Sequence, residues 1–372
     1  MADKKDNVIN LYWPVYRNLE KELLDLSYQI HICEGQLGVY SVKCADLLFR
    51  ASAEIESLIR DLYRSEKKAE PRNPGSALLV LNDSWSLEKK VVIVSAPNIY
   101  FVEERNKSFA PFSYSKGDEN DYYSAYNSVK HDRVKNISKA NLRVLMRAMA
   151  ALYLLNIYYR DEKFTLASSK AIRSEFDNSL GSEIFAVKPS DSYLGQINME
   201  RTIGSDNKSV DSTYLSRFPQ NEYEKLYKLQ LETMKNIQNA LTQSIEYNEF
   251  ISAGGDLSEC KGQALSIAQK IGLWSFRKKI KQLPREEQLE AILNSSEYKD
   301  YSKNNKVDSG KIKNDDVDAL CNLFGYWTYL ERTVLRFENK RIYTFMNSRI
   351  EMVLNKGQVI YTNENPTVLP GA

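Results

Sequence analysis

The stretch that decides the fold, Asp121 to Asn141, reads Asp-Tyr-Tyr-Ser-Ala-Tyr-Asn-Ser-Val-Lys-His-Asp-Arg-Val-Lys-Asn-Ile-Ser-Lys-Ala-Asn. Its middle, Asn127 to Arg133, gathers an amide, an ammonium, an imidazole and a guanidinium in consecutive turns. At about 3.6 residues per turn, Asn127 and His131 share one helical face, and Tyr126, Lys130 and Arg133 form the neighbouring stripe. Such a cluster can hold a phosphate, because Lys and Arg neutralise charge while an imidazole titrating near neutrality moves protons. A plainer reading stands beside it. His131 is then an ordinary surface histidine, with Lys130 and Arg133 solvated near the negative end of a helix dipole.

Working outward, the spacing predicts helices on both sides. Before the motif, Leu11 to His31 alternates apolar residues with Glu-Lys-Glu runs, giving an amphipathic helix that begins near Pro14. From Val42 to Glu66, Leu47, Leu48, Ala51, Ile55, Leu58, Ile59 and Leu62 recur at helical spacing. The other face of that helix carries Arg50, Glu54, Asp61 and Arg64. Glu54 is the carboxylate chosen to orient a basic site beside it, with Glu56 as a second such group; intrahelical ion pairing is the alternative. Between this helix and the motif, Ala77 to Leu81, Lys90 to Ser95 and Ile99 to Glu103 are short apolar runs bounded by turn residues, and predict a strand-rich insertion. After the motif, Ser138 or Asn136 is expected to cap a strongly apolar helix containing Leu142, Leu145, Met149, Leu152 and Tyr153.

Periodicity fails between Phe164 and Pro219, which reads as a linker with short strands at Glu183 to Lys188 and Gly195 to Asn198. Helical patterns resume at Asn221 to Phe250, from Asp256 to about Leu283, and from Pro284 through Leu293. Lys299 to Lys313 is polar and expected to be mobile. Asp315 to Phe337 and Ile342 to Leu354 read as helices, the former with an aromatic face at Tyr326, Trp327 and Tyr329, and Gly357 to Thr362 reads as a last strand. The expected architecture is mainly α. An N-terminal helical bundle (1–163, with the β insertion at 77–104) is followed by the linker (164–219) and a helical C-terminal domain (220–372).

Composition excludes several classes. The chain has 372 residues, enough for two domains, and 51 Lys and Arg against 49 Asp and Glu leave a net charge of only +2. Any nucleic-acid contact must therefore come from a local patch. Four scattered cysteines without a Cys-x-x-Cys pair, and only two histidines, argue against a zinc site and for a reducing cytoplasm. The charged N-terminus leads into no signal core, and the longest apolar run, Val144 to Ile157, is broken by Arg147 and too short to span a bilayer. No phosphate-binding Gly-rich loop, dinucleotide fingerprint or nucleophile elbow is present, so no cofactor is expected.

Two long helices, an insertion, a helix ending in a polar motif with histidine and an apolar closing helix together resemble the HEPN superfamily, helical bundles of toxins and antiviral and abortive-infection proteins. The resemblance covers roughly residues 11 to 160. In that family a helix carries Arg, a few further residues and then His, often with Asn directly after the Arg. Here Asn127 and His131 match, whereas Ser124, Ala125 and Tyr126 occupy the places open to the Arg. The run Arg50 to Glu56, Arg-Ala-Ser-Ala-Glu-Ile-Glu, is similar to bacterial HEPN-like sequences as well. The resemblance implies metal-independent RNA cleavage of toxin or antiviral type by a homodimer, with two histidines facing one phosphodiester. His131 would then move protons and Asn127 would position the phosphate or the imidazole. Lys130 or Arg133 would replace the missing Arg, and Tyr126 would hydrogen-bond or stack on a base. Because Arg133 lies about 200° around an ideal helix from His131, it serves only if the helix unwinds there or a partner chain supplies it. The alternatives are an inactive HEPN-like module binding RNA, a nucleotide or a protein, and a structural helical scaffold whose C-terminal domain makes the important protein contact.

Overall fold

A computed structural model describes residues 10–190, 209–304, 317–325 and 327–357. The chain is mainly helical and packs as two units. The first comprises the described residues of 10–219 together with 349–357, and the second is Gln220–Ser348.

In the first unit, α1 (Tyr12–Ser27), α2 (Val42–Lys67), α5 (Tyr122–His131) and α7 (Leu142–Arg160) make the bundle. The helix α7 is apolar on nearly every side and buried from Val144 to Tyr158 apart from a half-buried Arg147, as expected of the helix at the centre of a bundle. Arg147 turns its guanidinium over the Phe109 ring at 4.9 Å and donates to the Ala110 carbonyl at 3.2 Å, so a cation within an apolar run is satisfied by the loop ahead of the motif. Against α7 lies the apolar stripe of α2, whose first turn is capped by Ser41 accepting from the Cys44 amide.

The segment expected to be strand at Ala77 to Leu81 is helical instead, as α3 (Pro74–Trp85). Asn73 and Ser76 form a reciprocal capping box there and Pro74 takes the first helical position, a local start signal that outweighs the short apolar run. Of the predicted insertion, β1 (Val92–Val94) survives, between β2 (Ser108–Phe109), which follows the short α4 (Glu104–Lys107), and β4 (Phe185–Val187). Ile99 to Glu103 contributes a single bridge, Tyr100 to Cys33. The described part of the expected linker belongs to this unit. Its β3 (Phe164–Leu166), β5 (Pro189–Ser190) and β6 (Tyr214–Arg217) join β7 (Ile350–Leu354) in a sheet of order β3-β7-β6-β5. The strand β7 replaces the end of the helix predicted over Ile342 to Leu354, because its Ile350, Met352 and Leu354 are buried by cross-strand pairing that a single sequence does not display. A short α8 (Ile172–Glu175) lies between β3 and β4. The proposed strands at Gly195 to Asn198 and, beyond Gly357, to Thr362 lie outside the described residues, as do Tyr326 and most of the polar run to Lys313.

A buried carboxylate ties the β4 loop to the bundle. Glu20, 1% exposed, accepts from the Tyr16 hydroxyl (2.7 Å), the Ser182 hydroxyl and the amides of Glu183 and Ile184 (3.0 Å each), and pairs with Arg17. A charge this deep is tolerated because its lone pairs are satisfied.

The second unit contains α9 (Gln220–Thr242), α10 (Ile245–Ser252), α11 (Ala264–Lys281), α12 (Arg285–Asn294), α13 (Ser296–Asn304), α14 (Val317–Phe324) and α15 (Tyr329–Met346). The predicted 221–250 helix is divided by Ser244, which accepts from the Tyr247 amide and so starts α10. The helix α11 serves two cores. Ile267 and Ile271 pack with Leu241, Phe250 and Val334, while Phe276 and Ile280 pack with Ile292, Leu320 and Phe324. Gly272 is required where α15 begins, since a Cβ there would stand 2.4 Å from the Thr328 hydroxyl. The expected aromatic face divides, with Leu330 and Val334 buried and Tyr329 exposed.

Candidate functional site

The motif helix α5 is held at both ends. Asp121 caps it by accepting from the Ser124 amide (2.9 Å) and also grips the Gly117 amide (2.7 Å), where a positive φ of 82° favours glycine. Tyr122, Ala125, Tyr126 and Val129 form the buried stripe. At the other end the helix stops at His131. Asp132 leaves helical geometry and its side chain accepts from the Lys135 amide, starting the short α6 (Arg133–Asn136). Asn136 closes the corner by donating to the Ser128 and Asp132 carbonyls (3.1 and 3.0 Å). The caps expected of Asn136 and Ser138 for α7 are corrected accordingly: Asn141 caps α7, and Ile137 to Lys139 is a 3-10 turn.

The cations of the motif lie on either side of this corner. On a continuous helix Arg133 would lie one turn from Lys130 and on the same side; beyond the break its guanidinium lies over the Phe49 ring of α2 at 5.1 Å and meets Asp46 at 3.4 Å. Phe49 in turn packs edge-on to Tyr126, ring centroids 5.5 Å apart. Lys130 lies over the Tyr126 ring at 5.2 Å and donates to its hydroxyl at 3.3 Å, which holds the ammonium above the usual lysine range. Both cations of the motif therefore touch one aromatic pair. Lys139 joins them at the end of α5 through the Ser128 hydroxyl (3.1 Å). His131 is exposed between them in the chain, and among the described residues none hydrogen-bonds its ring.

Asn127 is half-buried and its side chain hydrogen-bonds Tyr123. Burial, and next the Glu56 carboxylate, push the Tyr123 hydroxyl above its ordinary pKa. At that contact the α2 carboxylate is Glu56 and not Glu54. Phe49 and Glu56 lie on the side of α2 that meets α5, whereas Glu54 follows Arg50 by one turn and precedes Ser57, residues that face α1 through Glu22 and the Tyr12 hydroxyl. Glu54 is partly buried on that other side, which alone raises its pKa. The structure brings together Tyr126, Lys130 and Arg133, places Asn127 and His131 on the same short helix, and leaves Glu54 apart. Sequence reasoning missed Phe49, Asp46 and Tyr123, although Asp46, Phe49, Ala53 and Glu56 repeat at helical spacing on the side opposite the apolar stripe.

The surface carries aromatic faces with cations stacked on them. It can take an anion on Lys130 and Arg133. Among the described residues no group of three or more His, Cys, Asp or Glu side chains is placed to hold a metal ion, and no helix is long and apolar enough to cross a membrane. No family model, curated protein or solved structure matches the chain.

Proposed function

We propose that the α5 corner is the working surface of an HEPN-like, metal-independent endoribonuclease of toxin or antiviral type, active as a homodimer. The observation that carries this reading is that Lys130 and Arg133 are each held on one ring of the Tyr126–Phe49 pair, with His131 exposed between them in the chain. In the proposed reaction an imidazole takes the proton of a ribose 2′-hydroxyl as its oxygen bonds to phosphorus. The bond to the 5′-oxygen breaks, and that oxygen leaves with a proton from the second copy's His131. Lys130 and Arg133 stabilise the charge on the phosphorane oxygens, the part the missing family Arg would play. Half-buried Phe49 supplies the ring edge against which a base packs, Tyr126 holds Lys130 from beneath, and Asn127 positions Tyr123.

The test is incubation of mixed RNAs with purified protein in EDTA. Cleavage by the wild type that falls at least about 100-fold in His131→Ala supports the assignment; cleavage that survives the substitution removes it. A second reading, an RNA-binding module without chemistry, is favoured by the absence of a described group orienting the His131 ring. Equal RNA binding by both proteins with cleavage by neither would select it.

A further inference from the structure

In the second unit, one face of α11 borders a groove of about 600 Å³ that the α5 corner does not use. Its walls carry four cationic side chains, Lys270, Arg277, Lys278 and Lys281, against one carboxylate, Glu259, and its apolar surface includes Trp274 and Phe250. The volume falls within the range of small-molecule sites.

The pattern follows from the helix. Ile267, Ile271, Phe276 and Ile280 turn into the two cores, while 270, 274, 277, 278 and 281 recur at helical spacing along the edge of the first core and are gathered on a single wall. That wall is rigid where it meets the core. The Trp274 ring meets Phe250 edge-on at 5.4 Å, and the Lys278 ammonium sits 5.0 Å from the Trp274 ring centroid.

The cations differ in how they are satisfied. Lys270 pairs with Glu259 (3.0 Å), Lys278 with Glu249 (2.8 Å) and Lys281 with Asp318 (2.9 Å). These pairs are substantially exposed and of the kind that contributes little, so a phosphate can displace the carboxylates. Arg277 is different. Its terminal nitrogen donates to the Asn322 side-chain oxygen, no described carboxylate is within ion-pair distance, and its Nε is buried without an acceptor. That Nε is out of reach of a ligand, but the terminal nitrogens of a groove-lining guanidinium without a carboxylate partner match a phosphate or carboxylate oxygen.

The geometry points to a nucleotide-binding site in this groove: a phosphate held by Arg277, further phosphates reached by Lys278 and Lys281, and the base packed against Trp274. Arg277 supplies the anchor and the lysines favour a polyphosphate over a monophosphate. Trp274, with an indole face, accounts for a base rather than a bare anion.

The test is calorimetric titration of the full chain with ATP, AMP, adenosine and inorganic phosphate, each at low and moderate salt. Saturable binding is expected in the order ATP, AMP, then adenosine and phosphate, weakening as salt rises. Arg277→Ala and Trp274→Leu should each weaken ATP binding at least tenfold, with thermal unfolding retained as a single transition near that of the wild type. Arg277→Lys keeps the charge without the fork, and should recover only part of the affinity. His131→Ala, in the other unit, should bind ATP as the wild type does. The proposal is overturned if no nucleotide binds saturably at millimolar concentration. It is equally overturned if inorganic phosphate binds as tightly as ATP, or if folded Arg277→Ala and Trp274→Leu proteins bind ATP unchanged.

Discussion

The Arg133 guanidinium lies over the Phe49 ring, 5.1 Å from its centroid, so a residue at the start of α6 is positioned by a side chain on α2. Phe49 also meets Tyr126, whose ring and hydroxyl engage Lys130. Removing Phe49 should therefore loosen both cations. We expect Phe49→Ala to weaken single-stranded RNA binding by about 3- to 10-fold, measured by fluorescence anisotropy, whereas Phe49→Tyr should stay within about twofold. Equal affinity for Phe49→Ala and wild type would show that the stacking does no positioning.

Glu56 faces α5 and Glu54 does not, and this gives a paired test. Glu56→Gln removes the carboxylate beside Tyr123 and within electrostatic reach of Lys130. RNA affinity should rise by about 2- to 5-fold at low salt, because an anion no longer opposes the incoming phosphate. Glu54→Gln should leave it unchanged. A change with Glu54→Gln alone would reverse the facing of α2 described above.

How far the sequence revealed this surface depends on the range of the signal. The helices α2, α5 and α7 were legible, because each buries a stripe that repeats at helical spacing within one segment. The stripe of Tyr126, Lys130 and Arg133 was legible in the same way, but the partners of Arg133, Phe49 and Asp46, were not, since they lie on α2, far back in the chain; nor was the break, for which Asp132 as an N-cap is the local signal. Glu54 against Glu56 turned on which side of α2 meets α5, a tertiary fact. Asn73, Pro74 and Ser76 did carry a local start signal for α3, overlooked in favour of the apolar run that followed. The strand β7 was beyond reach for another reason: its partners Phe164 to Leu166 and Tyr214 to Arg217 lie more than a hundred residues earlier.

Lys90 supplies a pH dependence. Its side chain is 1% exposed and donates to the Val210 carbonyl at 2.8 Å, and burial lowers its pKa to about 7, with Asp211 opposing the shift. The unfolded chain keeps this proton to about pH 10.4. Between those values the unfolded state binds more protons, so this group makes stability rise with pH from about 7 to about 10, and below 7 its full burial penalty remains. Lys90→Met should thus raise urea stability more at pH 6 than at pH 10, by an amount on the order of a few kcal/mol. Parallel pH profiles for the two proteins would contradict the assignment.

Glu20→Ala should be strongly destabilising. It strips the acceptor from the Tyr16 and Ser182 hydroxyls and from two amides while leaving them buried. A loss on the order of 4 kcal/mol is expected in urea unfolding. A loss below about 1 kcal/mol would mean that the loop is held elsewhere.

The central claim, that Lys130 and Arg133, held on the Tyr126–Phe49 pair, form one phosphate-contacting surface, is tested most directly by RNA affinity across a salt series. The comparison is wild type against the Lys130→Ala/Arg133→Ala double variant, whose removed side chains are exposed. The account predicts affinity at least tenfold weaker in the variant, with a slope of log K against log salt shallower by about 1 to 2. Superimposable affinities and slopes would contradict it.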